Sequence, residues 1–302
     1  MTDKRVTYME ARNKILQLWD EQRIRTEEIL RFPLEEEFKR LENECTDDTN
    51  NYLGPWVAML DESLLFLFLL YKYCWNQKNE NRVGAPTFFM LLARACSHVM
   101  AIRKLITGGL EDSARSVSRS FMETIDLLLV SLIDEEFSDL YFSEDIDGNL
   151  FWKTNVAYGR IYNRMDKVIE LAGIDESERE DYILHRKEAK KILSGSVHSD
   201  RTSAFRSMYI PSLKHYGKLS TSVLGHISTH SPGHLSLIIT EVYYFGSIFL
   251  KLLIKDKLNK LVKGSIESNE CKSFTTSFFV LQELVTEHYE EYLTMELGFP
   301  EE

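Results

Sequence analysis

Residues 110–136 read LEDSARSVSRSFMETIDLLLVSLIDEE. The spacing predicts one helix with two unlike faces. Arg115, Arg119, Glu123 and Asp126 fall at i, i+4, i+8 and i+11 on one side, and Phe121, Ile125, Leu128 and Leu132 fall on the other. After Ile125 the segment is apolar around most of its circumference, through Leu127, Leu128, Leu129, Val130, Leu132 and Ile133. A helix apolar on all sides belongs in the middle of a bundle, and a charged stripe on it must then be paired. An Arg119–Glu123 pair within the helix would leave Arg115 to bind an anion.

Outward from this helix the same periodicity continues, and strand signals are nearly absent. A helix entered at Pro86 stops at Gly108-Gly109, and an earlier one starts at Pro55 and reaches about Gln77. Before these, a helix from about Arg5 to Arg31 is interrupted at Pro33. A continuation follows over Leu34–Cys45, then a polar loop over Thr46–Gly54. Downstream, helices are expected over about Phe151–Ala172 and from Asp175 to about Leu193, with Gly195 as a breaker. Pro211 and Ser231-Pro232-Gly233 start later ones, and two long helices close the chain, over about His234–Lys263 and Asn269–Leu297. The expected class is all-α, a multi-helix bundle with long antiparallel helices. The expected organisation is a single helical domain over 1–302. Within it lie an N-terminal extension over 1–50, a core bundle over 85–240 and a C-terminal hairpin over 234–297.

The chain has 302 residues, 44% hydrophobic and 27% charged, with six prolines and 14 glycines. That is globular composition, not disordered or fibrous. Cys45, Cys74, Cys96 and Cys271 form no C-x-x-C pair, which argues against a zinc site and a disulfide scaffold. No signal-peptide core is present at the N-terminus. The longest apolar run, Leu64–Tyr71, is far short of the roughly 20 residues of a bilayer span. The expected location is cytoplasmic, with no membrane partner. Phe274–Leu293 is apolar enough for a homodimer contact.

The net charge is −11, yet residues 185–240 carry eight basic side chains against two acidic ones and six of the eight histidines. Local basic charge on an acidic background marks an anion or phosphate site, or a solvated face. Arg186, Lys187, Lys190, Lys191 and Arg201 are the candidate ligand-binding residues, for RNA, a phosphate-containing ligand or an acidic partner. His198 follows Ser194-Gly195-Ser196-Val197 at a helix end, placed either to exchange a proton or to cap. With Arg115, Arg119 and Glu123 it makes the candidate catalytic set. His226, His230 and His234 recur every four residues, but Pro232 breaks their alignment and no carboxylate occurs from Arg201 through Thr240. They are not read as metal ligands, and no cofactor is called for. Ser196-Val197-His198-Ser199 is echoed by Ser228-Thr229-His230-Ser231, a match of a length common by chance.

The pattern Gly109…Ala114-Arg115…Arg119…Glu123, then Trp152, then Ser194…Val197-His198-Ser199 resembles a family of uncharacterised bacterial helical proteins, over about residues 85–240. The resemblance implies an all-α fold found beside mobile-element or defence genes. It suggests a helical protein of a defence or stress system that binds a ligand or partner. A looser similarity is to the HEPN superfamily of helical-bundle ribonucleases, which implies a metal-independent endoribonuclease with His198 as general acid/base. The arginine of that signature is absent from the segment before His198, and Arg119 from another helix would have to replace it.

Overall fold

The computed structural model describes residues 34–79, 85–143, 145–198, 209–211, 219–221, 225–263 and 267–296, with a few isolated positions elsewhere. Most of the first expected helix lies outside these residues. So do Arg206, Lys214, His215 and Lys218. By packing, the chain divides into two units, residues 1–43 and 44–302.

The fold is all-α. Among the described residues its helices of two turns or more are α1 (Leu34–Asp48), α2 (Gly54–Asn76), α3 (Ala85–Thr107), α4 (Glu111–Ser131), α5 (Glu135–Phe142), α6 (Arg160–Ala172), α7 (Glu176–Val197), α8 (Ser231–Ile254) and α9 (Asn269–Glu296). A two-stranded antiparallel pair, β1 (Tyr209–Pro211) and β2 (Leu219–Thr221), is a minor addition.

Helix α4 is the hub, packing against α3, α5, α6, α7 and α8. Phe121, Met122, Ile125 and Leu127 through Val130 are all buried, as its greasy second half requires. Helices α4 and α7 run in opposite directions. Asp112, early in α4, meets Ser196 late in α7, and Asp126 late in α4 meets Arg186 in mid-α7. Helix α9 lays Phe274, Phe278 and Leu281 against its neighbours, so part of the face expected to dimerise is buried within the chain.

Several boundaries differ from the sequence reading, each for a local reason. The fourth helix ends at Ser131, because Asp134 caps a new helix by accepting from the Phe137 N–H at 2.9 Å. Residues 46–53 are helical, continuing α1 through a π-turn over Thr49–Leu53 into α2. The expected Phe151–Ala172 helix breaks where Tyr158 and Gly159 take left-handed backbone, at φ 58° and 81°. Helix α7 runs through Gly195 to Val197, Pro211 lies in β1, and the helix expected after it falls outside the described residues.

The expectation of a cytoplasmic chain is overturned. Among the described residues, three helical stretches, Glu36–Asn76, Ala85–Thr107 and Ser231–Ile254, are long and apolar enough to cross a membrane by length and composition. The sequence reading counted uninterrupted apolar residues. A span is set by average character over its length and tolerates an occasional charge. Roughly half of the most apolar 18-residue window in each stretch is buried inside the protein.

One backbone contact places the region before α8. Gly109 at φ 75° and Gly225 at φ 107° sit face to face, and the His226 N–H donates to the Gly109 carbonyl at 2.9 Å. A Cβ on Gly225 would lie 2.6 Å from that carbonyl oxygen, which real Cβ atoms do not do. Gly225→Ala is therefore expected to cost about 2–4 kcal/mol, from positive-φ strain plus a backbone clash. Urea denaturation against the wild type measures it.

Candidate functional site

Arg186 is fully buried, and its surroundings explain why. Its Nε donates to Asp126 Oδ1 at 2.7 Å, its Nη2 to the Met122 carbonyl at 2.8 Å, and its Nη1 to the Tyr182 hydroxyl at 3.0 Å. The guanidinium also pairs with Glu241 of α8, and Lys190 pairs with the other Asp126 oxygen. Two acids and two bases, all within the interior, tie α4, α7 and α8 together. Burial, followed by the Arg119 guanidinium, pushes the Lys190 ammonium down to about 7, against the pull of Glu123.

This corrects the reading of a basic patch. Arg186 and Lys190 do not face solvent, because Asp126 and Glu241 draw them inward. Lys187, Lys191 and Arg201 are exposed. Lys187 and Lys190 each place Nζ 5.1 Å from the centre of the Tyr162 ring.

The charged stripe of α4 is paired throughout, with one partner different from expectation. Arg119 pairs with Glu123 as the spacing suggested. Arg115 is not left over, since its Nε and Nη2 both donate to Glu111 Oε1, at 3.2 and 2.8 Å. The second Glu111 oxygen accepts from the hydroxyls of Ser228 and Ser231, the latter at 2.8 Å. Burial works to raise the Glu111 carboxyl. Arg115, His234 and the Ser228 hydroxyl outweigh it and hold the group below its ordinary value.

The four-residue echo acquires a physical meaning here. Ser228 donates to Glu111, and Ser196, its counterpart, donates to Asp112 at 2.8 Å. Two adjacent acids in the first turn of α4 thus receive the two echoed serines. Glu111 was missed as a site residue. Its signal was its place at the helix start, where negative charge is favoured.

His198 caps the end of α7, its N–H donating to the Ser194 carbonyl, and its side chain is exposed. Arg119 reaches the same end of α7, with Nε 3.3 Å from Ser194 Oγ. His234, by contrast, is 5% exposed and has its Nε2 2.7 Å from Ser118 Oγ. Among the described residues its Nδ1 has no hydrogen-bond partner.

Two concave features meet beside these groups. A groove of about 930 Å³ runs between α7 and α8, with Tyr182, Ile192, Leu237, Tyr243 and Tyr244 among its walls. A smaller cavity of about 290 Å³ is lined by Arg115, Thr229, His230, Gly233, His234 and Leu237. Ile192, Gly233 and Leu237 belong to both, so the cavity is an end pocket of the groove. Comparison with family models, curated proteins and solved structures finds no match for this chain.

Burial pushes the His234 imidazole down to about 4; Glu111 works to raise it and Arg115 to lower it. The unfolded chain binds this proton near pH 6.5 and the folded chain only near 4. Stability is therefore unaffected by His234 above pH 6.5 and falls as pH drops from 6.5 to 4. The loss is of order 3 kcal/mol. Burial pushes His98 down to about 4 as well, so urea unfolding across that range should show a steeper slope in the wild type and lose about 3 kcal/mol of it in His234→Leu, the part due to His98 remaining.

Proposed function

We propose that the protein is a helical ligand-binding protein whose site is the groove between α7 and α8, and that the ligand carries an anionic end seated near Arg115 and His230. The observation that carries this reading is the continuity of a large, partly aromatic groove with a small polar pocket. Pockets of this size with a few convergent polar groups are the usual form of small-molecule sites. Tyr182 and Tyr244 pack ring to ring at 5.2 Å, giving the groove a firm aromatic wall. The site overlaps the His-rich stretch noted in the sequence, through His185, Ile192, His230, Gly233, His234 and Leu237. Its anion-facing groups, however, are Arg115, His230 and His234, not the α7 lysines.

An anionic aromatic dye such as anilinonaphthalene sulfonate suits both halves of the site. Ile192 is 61% exposed at the junction of groove and pocket, so Ile192→Glu leaves the core intact while placing charge there. The dye is expected to bind the wild type, with Kd raised at least tenfold in the variant. Equal binding by both proteins removes the groove as the site.

A second reading, metal-independent ribonuclease, is favoured by the arrival of Arg119 one turn before His198. In it His198 acts as general acid/base, and Arg119 stabilises charge on the phosphate. His198→Ala then abolishes RNA cleavage while the fold survives. Absence of cleavage by the wild type at every salt concentration excludes this reading.

A further inference from the structure

We propose that the outer face of the α2/α3 pair is a docking surface for an anionic lipid bilayer, on which the protein lies without crossing it. The inference is independent of the groove between α7 and α8.

The argument starts from two helices that are more apolar than the core alone requires. Helices α2 and α3 run in opposite directions. Arg103, late in α3, donates to Asp61, early in α2, at 2.6 Å, and Phe89 meets Tyr71 and Trp75 at 6.1 and 5.3 Å between ring centres. Their inner faces are core. Phe66, Leu67 and Leu70 of α2 and Leu92, Ala95 and Val99 of α3 are fully buried. Their outer faces are apolar as well. Leu65, Phe68 and Trp75 of α2, and Met90 and Met100 of α3, are each 42% to 52% exposed. Helical spacing puts the first three on one stripe of α2. The antiparallel register then brings Leu65 level with Met100 and Trp75 level with Met90. An apolar surface that continues across two helices marks an interaction site.

Charge selects the occupant. The chain carries −11 overall, yet α2 and α3 hold Lys72, Arg94, Arg103 and Lys104 against Asp61 and Glu62, and Lys78 follows α2. Arg103 and Asp61 neutralise one another, which leaves an excess of base. An acidic protein is repelled by anionic lipid except where such a patch faces it. Lys72 places Nζ 4.9 Å from the centre of the Phe68 ring, and Lys78 places Nζ 4.2 Å from that of Trp75. A lysine held beside an exposed ring joins an apolar anchor to a charge that reaches headgroup phosphates. Tyr71 and Trp75 stack at 6.0 Å, and both are ring types favoured at a membrane–water boundary. A protein partner fits less well, since lysine is depleted from the cores of protein interfaces.

This face also gives the long apolar stretches a physical reason. Helix α2, within Glu36–Asn76, and helix α3 belong to two of the three stretches apolar enough to cross a membrane. Crossing would strip their inner faces from α4, α8 and α9, against which they pack. Lying on the surface uses only the outer faces and leaves the core whole. A helix with one face in the core and the other in lipid must be apolar on both.

Flotation of the full chain with vesicles of equal parts phosphatidylglycerol and phosphatidylcholine tests this. Binding is expected, and should be weaker by about tenfold or more on phosphatidylcholine alone, because each basic side chain near an anionic surface adds several-fold. Phe68→Glu, at a half-exposed position, should weaken binding to the mixed vesicles by about tenfold or more. Brominated acyl chains should quench the tryptophan fluorescence of the bound wild type. Trp75→Phe, which keeps a ring there, should still bind and lose most of that quenching, and this holds even if Phe68→Glu folds poorly. Equal binding to both kinds of vesicle, or quenching unchanged in Trp75→Phe, overturns the proposal. So does absence of binding; a dimer by light scattering that Phe68→Glu dissociates would then assign the face to a second copy of the chain.

Discussion

The buried contact of Arg186 with Asp126 and Glu241 is the constraint around which the bundle is arranged. Three full charges with side chains at most 1% exposed would each be costly alone. With Lys190 protonated the group is neutral, and the Met122 carbonyl and Tyr182 hydroxyl take up further guanidinium N–H groups. Such a group is a weak source of net stability, because its desolvation offsets most of its attraction. Its stronger consequence is register. Asp126 is on α4, Arg186 on α7 and Glu241 on α8. A shift of any one helix by a turn leaves an unpaired charge in the interior, at about 3–5 kcal/mol.

The same group explains why the charge pattern of residues 185–240 misleads. A count along the chain treats Arg186 and Lys190 as equal to Lys187 and Lys191. On a helix, 186 and 190 share one face, and that face meets the acids of α4 and α8. The stripe on α4 was legible: its spacing, its burial and the Arg119–Glu123 pair all follow from periodicity. Its pairing across helices was not, because Asp126 to Arg186 spans 60 residues and nothing local marks the partner. Glu241 is harder still. It is a lone acid in an apolar helix, and its role appears only when Arg186 lies opposite.

Local chemistry was legible in some places and hidden in others. Asp175 as a helix cap could be read directly, and it accepts from the Glu178 N–H at 2.9 Å. The break at Asp134 could not, because the apolar run of α4 continues through Ile133 and masks the stop. The Gly109–Gly225 contact depends on two backbones meeting across more than a hundred residues. A glycine signals that a close approach is allowed, but never which segment approaches. His234 drew notice as one of three evenly spaced histidines. In the structure it is set apart by burial and by Ser118, whose hydroxyl meets it from another helix.

The inward turn of Arg186 and Lys190 also sets the electrostatics of the groove. With those two charges used in the core, the α7 side of the groove presents Glu178, Asp181, His185 and Glu188. On the α8 side Lys251 stands toward the same end as Glu178, leaving that end with more acid than base. Helices α7 and α8 run in opposite directions along the groove, since Ile192 meets Leu237 at one end and Tyr182 meets Tyr244 further along. The opposite end holds Arg115, His230 and the start of α8, whose dipole is positive there. In the proposed reading, an elongated ligand with one anionic end would be oriented by the groove itself. Its charge would be repelled from the start of α7 and drawn to the start of α8, with its apolar length along the tyrosines. A basic patch would have bound anions without direction; burying two of its charges leaves a groove with a polarity.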